Sequence, residues 1–329
     1  MKAKWTGFVS CLSESIEGFL EHKRALGHKY LTEESVFRLF DRYLTKGGVN
    51  SVAEITPEII EKFLASRPRI QPCSYNHLLG VVRCLFDWLV GQGVLLQSPV
   101  NAKRRRKTAQ QIPFIFNAEQ ARTLLEVASS LADNPRVLLR GITYKMIFAL
   151  LFGLGLRVGE VSRLCWKDVD FVRHLLVIRQ TKFAKDRLVP FGPRMENQLQ
   201  DYRLCCKKRK RKVIPESSVF SFTRDKPIHP TTISQTFHHL LPLLKLNVPP
   251  GVRTPCLHNL RHSFAVCTLL RWYRNGIDPQ KRLIHLSTFL GHVDPASTAV
   301  YLTITADLLR EASHRFEQYA APTGEEVRQ

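Results

Sequence analysis

Apolar residues recur at helical spacing through the first hundred positions. Phe8, Leu12, Ile16, Phe19 and Leu20 fall on one stripe, and Val36, Phe37, Phe40 and Leu44 on another. Thr56-Pro57-Glu58 reads as a helix start: a hydroxyl for the cap, proline at the first helical position and an acid in the first turn. Leu78, Val81, Val82, Leu85 and Leu89 mark a fourth helix, closed by the Gly91-Gln92-Gly93 turn. Four short amphipathic helices with brief connections predict a small bundle over residues 8–97.

The pattern then breaks. Ser98-Pro99-Val100-Asn101 leads into Lys103-Arg104-Arg105-Arg106-Lys107, and proline followed by a basic run predicts an interdomain linker over 98–111. Helical signal resumes at Asn117-Ala118-Glu119 and continues to about residue 320. One β insertion interrupts it: His174–Arg179 and Arg187–Phe191 flank a polar turn at Thr181–Asp186 and predict a hairpin. The last helix, over 306–319, places Leu308, Leu309, Ala312 and Phe316 on one stripe, which suits packing on its own domain and docking on a neighbouring protomer equally well. A polar tail covers 321–329. The expected fold is mainly α with a small β-hairpin insertion, in two domains.

Composition agrees with two ordinary globular cores: 329 residues, 44% apolar and 23% charged. The longest apolar stretch, Met146 to Leu156, falls well short of the roughly 20 residues a bilayer crossing needs. The N-terminus lacks the apolar segment of a secretory signal, so a soluble, cytoplasmic chain without a membrane partner is expected. Eight cysteines without a C-x-x-C pair predict reduced thiols, with neither a disulfide framework nor a structural zinc.

Charge changes the picture. Residues 1–100 are nearly balanced, with 12 Lys and Arg against 10 Asp and Glu, whereas residues 101–212 carry 25 against 9. The whole chain is +21 at pH 7. An excess of this size favours a polyanion through counterion release, and nucleic acid is the first candidate. The run Lys103, Arg104, Arg105, Arg106 and Lys107, placed between two domains, is the candidate phosphate-contacting segment.

Several chemistries find no motif. There is no phosphate-binding loop, no dinucleotide fingerprint and no nucleophile elbow. His258 and His262 have the spacing of a zinc-protease helix, but Asn259 stands where that chemistry needs a glutamate, so no metal is expected. What remains is basic and hydroxyl chemistry. Arg157 lies between glycines with Glu160 three residues on; His258 and Arg261 share a helix face; Gly291-His292 opens a tight turn, and Tyr301 follows nine residues later.

Taken in order, these boxes resemble the tyrosine recombinases of the phage integrase family. The resemblance rests on Gly155-Leu156-Arg157-x-x-Glu160, Lys182 in the turn before Arg187-Leu188-Val189-Pro190, His258-x-x-Arg261-His262, Leu290-Gly291-His292 and Tyr301. The wording LRHSFA and LGHVDPASTAVYL is especially similar to recombinases of bacterial transposable elements. It covers residues 112–320, and the 8–97 bundle resembles the family's core-binding (SAM-like) DNA-binding domain more loosely. One departure is the stretch from Arg271 through Ser287, longer than in compact members, which predicts an extended helix or loop.

The resemblance implies a two-domain clamp on double-stranded DNA that cuts and rejoins strands through a 3′-phosphotyrosyl intermediate, without metal or nucleotide cofactor. It implies Tyr301 as nucleophile, Arg157 and Arg261 as phosphate-stabilising cations, and His258 as the base. Lys182 becomes the general acid, with Lys185 its rival in the same turn, and His292 a phosphate-binding or buttressing residue. Glu160 is an orienting residue behind them. It further implies a homotetramer on two DNA sites, alone or with related recombinases, serving integration, excision or transposition of a mobile element. Two other functions remain open from sequence: a non-catalytic DNA-binding partner in a recombination complex, and a type IB topoisomerase-like relaxing enzyme.

Overall fold

The computed structural model describes residues 7–106, 112–135, 137–179, 186–223, 226–303 and 308–313. It divides into two compact units, Met1–Gln110 and Gln111–Gln329.

The first unit is a bundle of α1 (Ser13–Ala25), α2 (Leu31–Lys46), α3 (Pro57–Ala65) and α4 (Pro72–Gly91). Its centre is aromatic: Phe19, Phe37, Phe40, Phe63 and Phe86 are fully buried, and Phe40 meets Phe63 and Phe86 at centroid distances of 4.8 and 6.1 Å. The first helix begins at Ser13, later than its apolar stripe suggests. The chain before it is used differently, since the backbone N–H groups of Val9 and Ser10 donate to the buried carboxylate of Asp41 on α2. A buried carboxylate needs such donors to offset its lost hydration.

Part of the expected linker belongs to this bundle. Val100 and Ala102 are buried in its core, and Arg83 donates to the carbonyl of Ala102. Asn76 on α4 exchanges two hydrogen bonds of 2.8 Å with the backbone of Arg105. The Arg105 guanidinium lies 3.9 Å from the centroid of the Tyr75 ring and donates to the carbonyl of Arg69. Residues 100–105 therefore form a strap fastened along α4, while Lys103, Arg104 and Arg106 are exposed. Lys107 lies outside the described residues.

The second unit opens with α5 (Ala118–Ser129), whose start is fixed by a capping box between Asn117 and Gln120. It packs against α6 (Arg140–Gly153), where every residue from Met146 to Leu151 is buried. A helix apolar on all sides belongs in the middle of a core, and α6 is flanked by α5, by α8 (Pro193–Lys208) and by α10 (Leu257–Arg274). The expected hairpin is present as β2 (Leu175–Ile178) and β3 (Arg187–Pro190), closed by the pair Ile178 and Arg187. A short β1 (Val169–Asp170) adds a third antiparallel strand. A second ribbon, β4 (Ser221–Thr223) with β5 (Lys226–Pro227), has too few residues to leave an alternating pattern in the sequence.

α7 (Val158–Arg163) and α9 (Pro230–Leu240) complete the scaffold around α6, with α11 (Pro279–Leu290) and α12 (Ala296–Ala299) following α10. The long 271–287 stretch becomes the last turn of α10, a tight turn and most of α11, capped by the Asp278 side chain. Residues 308–313 are helical; the rest of the expected last helix lies outside the described residues. No helix among the described residues is long and apolar enough to cross a membrane.

Candidate active site

Two glycines place backbone carbonyls where cations can reach them. Gly155, just after α6, has φ +59°, and a Cβ there would stand 2.6 Å from the Phe264 ring, so a larger residue is excluded by conformation and by space. Its carbonyl accepts from Arg261 Nη1 at 2.7 Å. Gly291 ends α11 with φ +68°, the common left-handed helix stop.

The end of α11 then gathers three arginines on three consecutive carbonyls. Phe289 O accepts from Arg187 Nε at 3.0 Å, Leu290 O from Arg261 Nη2 at 2.6 Å, and Gly291 O from Arg157 Nη2 at 2.9 Å. The last carbonyls of a helix lack intrahelical partners and carry the negative end of its dipole, so they suit cations. These three guanidiniums come from the start of α7, the start of β3 and the second turn of α10.

Glu160 joins two of them from behind. Its carboxylate takes both terminal nitrogens of Arg187 at 2.7 and 2.8 Å and Nη1 of Arg157 at 3.0 Å, and it also accepts the Arg157 backbone N–H at 2.8 Å. Burial alone would raise this carboxyl, but the hydrogen bonds and charges of Arg187 and Arg157 outweigh it and hold it at about 2. Arg261 is 1% exposed, and its Nε is buried without a hydrogen-bond partner among the described residues. Burial and the neighbouring Arg157 lower Arg261 to about 9, so it stays charged at neutral pH. Three cations and one carboxylate leave this cluster with a net charge of about +2, a setting suited to an anion.

Opposite the arginines lie a tyrosine and three histidines. Tyr301, in a 3₁₀ turn after α12, is buried against Ala265, Val266, Leu269, Leu286 and Leu290. Its hydroxyl is 2.6 Å from Nδ1 of His262. The His292 ring stacks on Tyr301 with planes 22° apart, and its Nδ1 is 2.7 Å from the buried Thr298 hydroxyl. The His258 ring stands edge to face against His262 at 4.5 Å.

Burial pushes the Tyr301 phenol above its ordinary value, with Arg261 and Arg157 pulling the other way. Burial also lowers all three imidazoles to about 4, helped by Arg261 at each, by Arg157 at His258 and His292, by His258 and His292 at His262, and by His258 and Arg187 at His292. His258 is itself exposed, and the charges of Arg261 and Arg157 beside it disfavour its imidazolium. The three rings are neutral at pH 7 and can accept protons. Among the described residues, no group of three or more His, Cys, Asp or Glu side chains is placed to hold a metal ion.

The structure thus brings Arg157, His258, Arg261, His292 and Tyr301 into one site, with Glu160 behind Arg157. Lys182 lies outside the described residues, as does its rival Lys185. Two further residues join the cluster. Arg187 reads in sequence as a strand residue beside a turn, and only its bidentate pair with Glu160 reveals its place. His262 stands in the sequence as a neighbour of Arg261; the contact that marks it, to Tyr301, spans 39 positions.

Comparison with known proteins gives this site a context. The phage integrase family model matches residues 115–307. A protein of Sinorhizobium fredii named as integrase/recombinase y4rB is 32% identical over 94% of this chain and 98% of its own length. The tyrosine recombinase XerA of Pyrococcus horikoshii is 27% identical over 85% of this chain and 86% of its own. The fold also superposes on the Tn1549 transposon integrase, solved in complex with transposon right end DNA, with a TM-score of 0.64 at 15% identity, covering 94% of this chain and 99% of that one. The match across more than half the sequence, with a 32% identical relative along nearly its full length, places the chain in the phage integrase family, the tyrosine site-specific recombinases.

Proposed function

We propose that this recombinase cuts and rejoins double-stranded DNA through a 3′-phosphotyrosyl bond formed by Tyr301, in the integration, excision or transposition of a mobile element. What carries the reading is the gathering of three guanidiniums at one helix end, in a cluster of about +2 charge, with the field of Arg261 and Arg157 acting on one tyrosine hydroxyl. A phosphodiester carries one negative charge, and attack by a deprotonating phenol adds a second in the pentavalent state. Arg157 and Arg261 would bind the non-bridging oxygens, gaining strength as that charge develops. Arg187 and Glu160 hold Arg157 in place.

The leaving 5′-oxygen needs a proton, and Lys182, in the turn between β2 and β3, takes that role by family resemblance. Because the phosphotyrosyl link keeps the energy of the broken diester, another 5′-hydroxyl can reverse the step on a new strand. His292, buttressed by Thr298 and stacked on Tyr301, would bind the phosphate as a neutral donor. The helical first unit serves as the core-binding domain, with Lys103, Arg104 and Arg106 on its strap as phosphate contacts. Arg105 is held by Tyr75 and Arg69, so its main part is to fasten the strap. Four protomers on two sites is the assembly that paired strand exchange requires. Kinship with the 32% identical integrase/recombinase supports the mobile-element setting.

The test is covalent trapping. DNA flanking the chain's own gene is screened for binding at low salt, and the bound site is made into a nicked suicide substrate. The expected result is a slow-migrating protein–DNA adduct that is absent in Tyr301→Phe. Binding without an adduct would favour a non-catalytic partner, and relaxation of supercoiled DNA lacking the site would favour a topoisomerase.

A further inference from the structure

We propose that His262, and not His258, takes the proton from Tyr301 as its oxygen attacks phosphorus. This rests on the reading of Tyr301 as the nucleophile and assigns the base that reading leaves to be found. His262 touches the reacting atom: Nδ1 lies 2.6 Å from the hydroxyl oxygen, and the two rings meet at 5.4 Å and 58°. His258 faces the His262 ring, and its near charges are Arg261 and Arg157. That places His258 on the phosphate side of the site, one helical turn before the tyrosine's partner.

The position of His262 is over-determined. Its neighbour Arg261 is tied to two carbonyls, at Gly155 and Leu290. On its other side the Ser263 hydroxyl accepts from the Phe116 backbone N–H at 2.7 Å and donates to the carbonyl of Asn259. The start of α10 is therefore pinned on both sides of His262, and the ring is presented at a fixed place. Facing it are His258 and Arg261 from its own helix, His292 from beyond α11, and Tyr301. Those neighbours and burial keep His262 neutral before substrate arrives, and with its proton on Nε2 the ring accepts from the tyrosine hydroxyl at Nδ1. A bound phosphodiester brings negative charge to Arg261, offsets the cation that disfavours imidazolium, and makes the ring a better base as the reaction proceeds.

The step balances without a further reactant. The Tyr301 O–H bond breaks and its proton passes to His262 Nδ1; the tyrosine oxygen forms a bond to phosphorus; the phosphorus–O5′ bond breaks, and O5′ takes a proton from the general acid. On religation the imidazolium returns its proton to the departing phenolate.

Single-turnover cleavage of the suicide substrate separates this role from mere positioning. His262→Asn keeps an acceptor oxygen for the tyrosine hydroxyl but cannot take its proton. It is expected to bind the site as the wild type does and to cleave about 100-fold or more slowly. His262→Ala should lose as much, gain rate about tenfold per pH unit between pH 7 and 9 as hydroxide replaces the base, and recover with added imidazole. Wild type should be flat over that range, and His258→Gln should stay flat whatever its absolute rate. A substrate with sulfur in place of the 5′-bridging oxygen, which needs no proton to leave, should not restore either His262 variant. Wild-type cleavage by His262→Asn, or a rate that climbs with pH only in His258→Gln, overturns the proposal. A wild-type protein that forms no adduct overturns instead the reading of Tyr301 on which it stands.

Discussion

The two sides of the candidate active site are built on opposite plans. On the arginine side, each cation has several partners: Arg187 and Arg157 share the Glu160 carboxylate, and all three guanidiniums reach carbonyls at the end of α11. On the tyrosine side, among the described residues, the hydroxyl has one hydrogen bond, to His262, and the His292 ring has one, to Thr298. The difference matches what the proposed reaction would ask of each. Cations that stabilise a developing charge are most effective when they need not reorganise. A nucleophile must exchange its proton acceptor for phosphorus, which a single neutral contact permits and a web of ion pairs would resist.

Glu160→Gln should break the arginine side most severely. It leaves Arg187 and Arg157 without their shared counter-charge in a buried setting, at a cost of about 3–5 kcal/mol. Chemical denaturation checks this, and a loss under about 1 kcal/mol would show that the carbonyls of α11 suffice. Arg261→Ala comes next, with single-turnover cleavage expected to fall by about 10²–10³ while binding of the site changes much less.

Acid should separate the two sides by pH. His262 and His292 are held near 4 when folded, below an ordinary 6.5, so protonation favours the unfolded chain. Their stabilising contribution is complete above pH 6.5 and lost as pH falls towards 4. Glu160 is held near 2, below an ordinary 4.5, so its contribution is complete above 4.5 and lost only as pH falls towards 2. Denaturant midpoints should therefore drop in both windows. His262→Asn combined with His292→Asn should shrink the upper window to the share of His258, which is also held near 4, and leave the lower one. The smallest effect is expected of Thr298→Ala, which removes the His292 hydrogen bond at a cost of about 1 kcal/mol. The Tyr301–His262 contact should survive it, with cleavage reduced by less than tenfold.

Which of these features the sequence reveals follows from how each is encoded. The bundle helices announce themselves because each buries one stripe, as at Val36, Phe37, Phe40 and Leu44. The strap over 100–105 does not, since its attachments are a backbone exchange with Asn76 and an Arg105–Tyr75 contact that leave no periodicity. In the site, Arg157, His258, Arg261, His292 and Tyr301 are legible because each sits in a short box with fixed neighbours. The carbonyls of Phe289, Leu290 and Gly291 are invisible to such a reading, since a backbone acceptor has no side-chain signature. Arg187 and His262 stand inside the quoted boxes, yet their roles depend on partners 27 and 39 residues away. Local order names the boxes; only the fold says which letters within them touch.

In the proposed mechanism Tyr301, held on His262, supplies the oxygen of the covalent bond to DNA. The most direct test digests the trapped adduct with protease and nuclease and locates the attached nucleotide by mass spectrometry. The expected result is a single modified peptide, carrying a 3′-phosphonucleotide on Tyr301. A nucleotide on any other residue, or linkage through a 5′-phosphate, would contradict it.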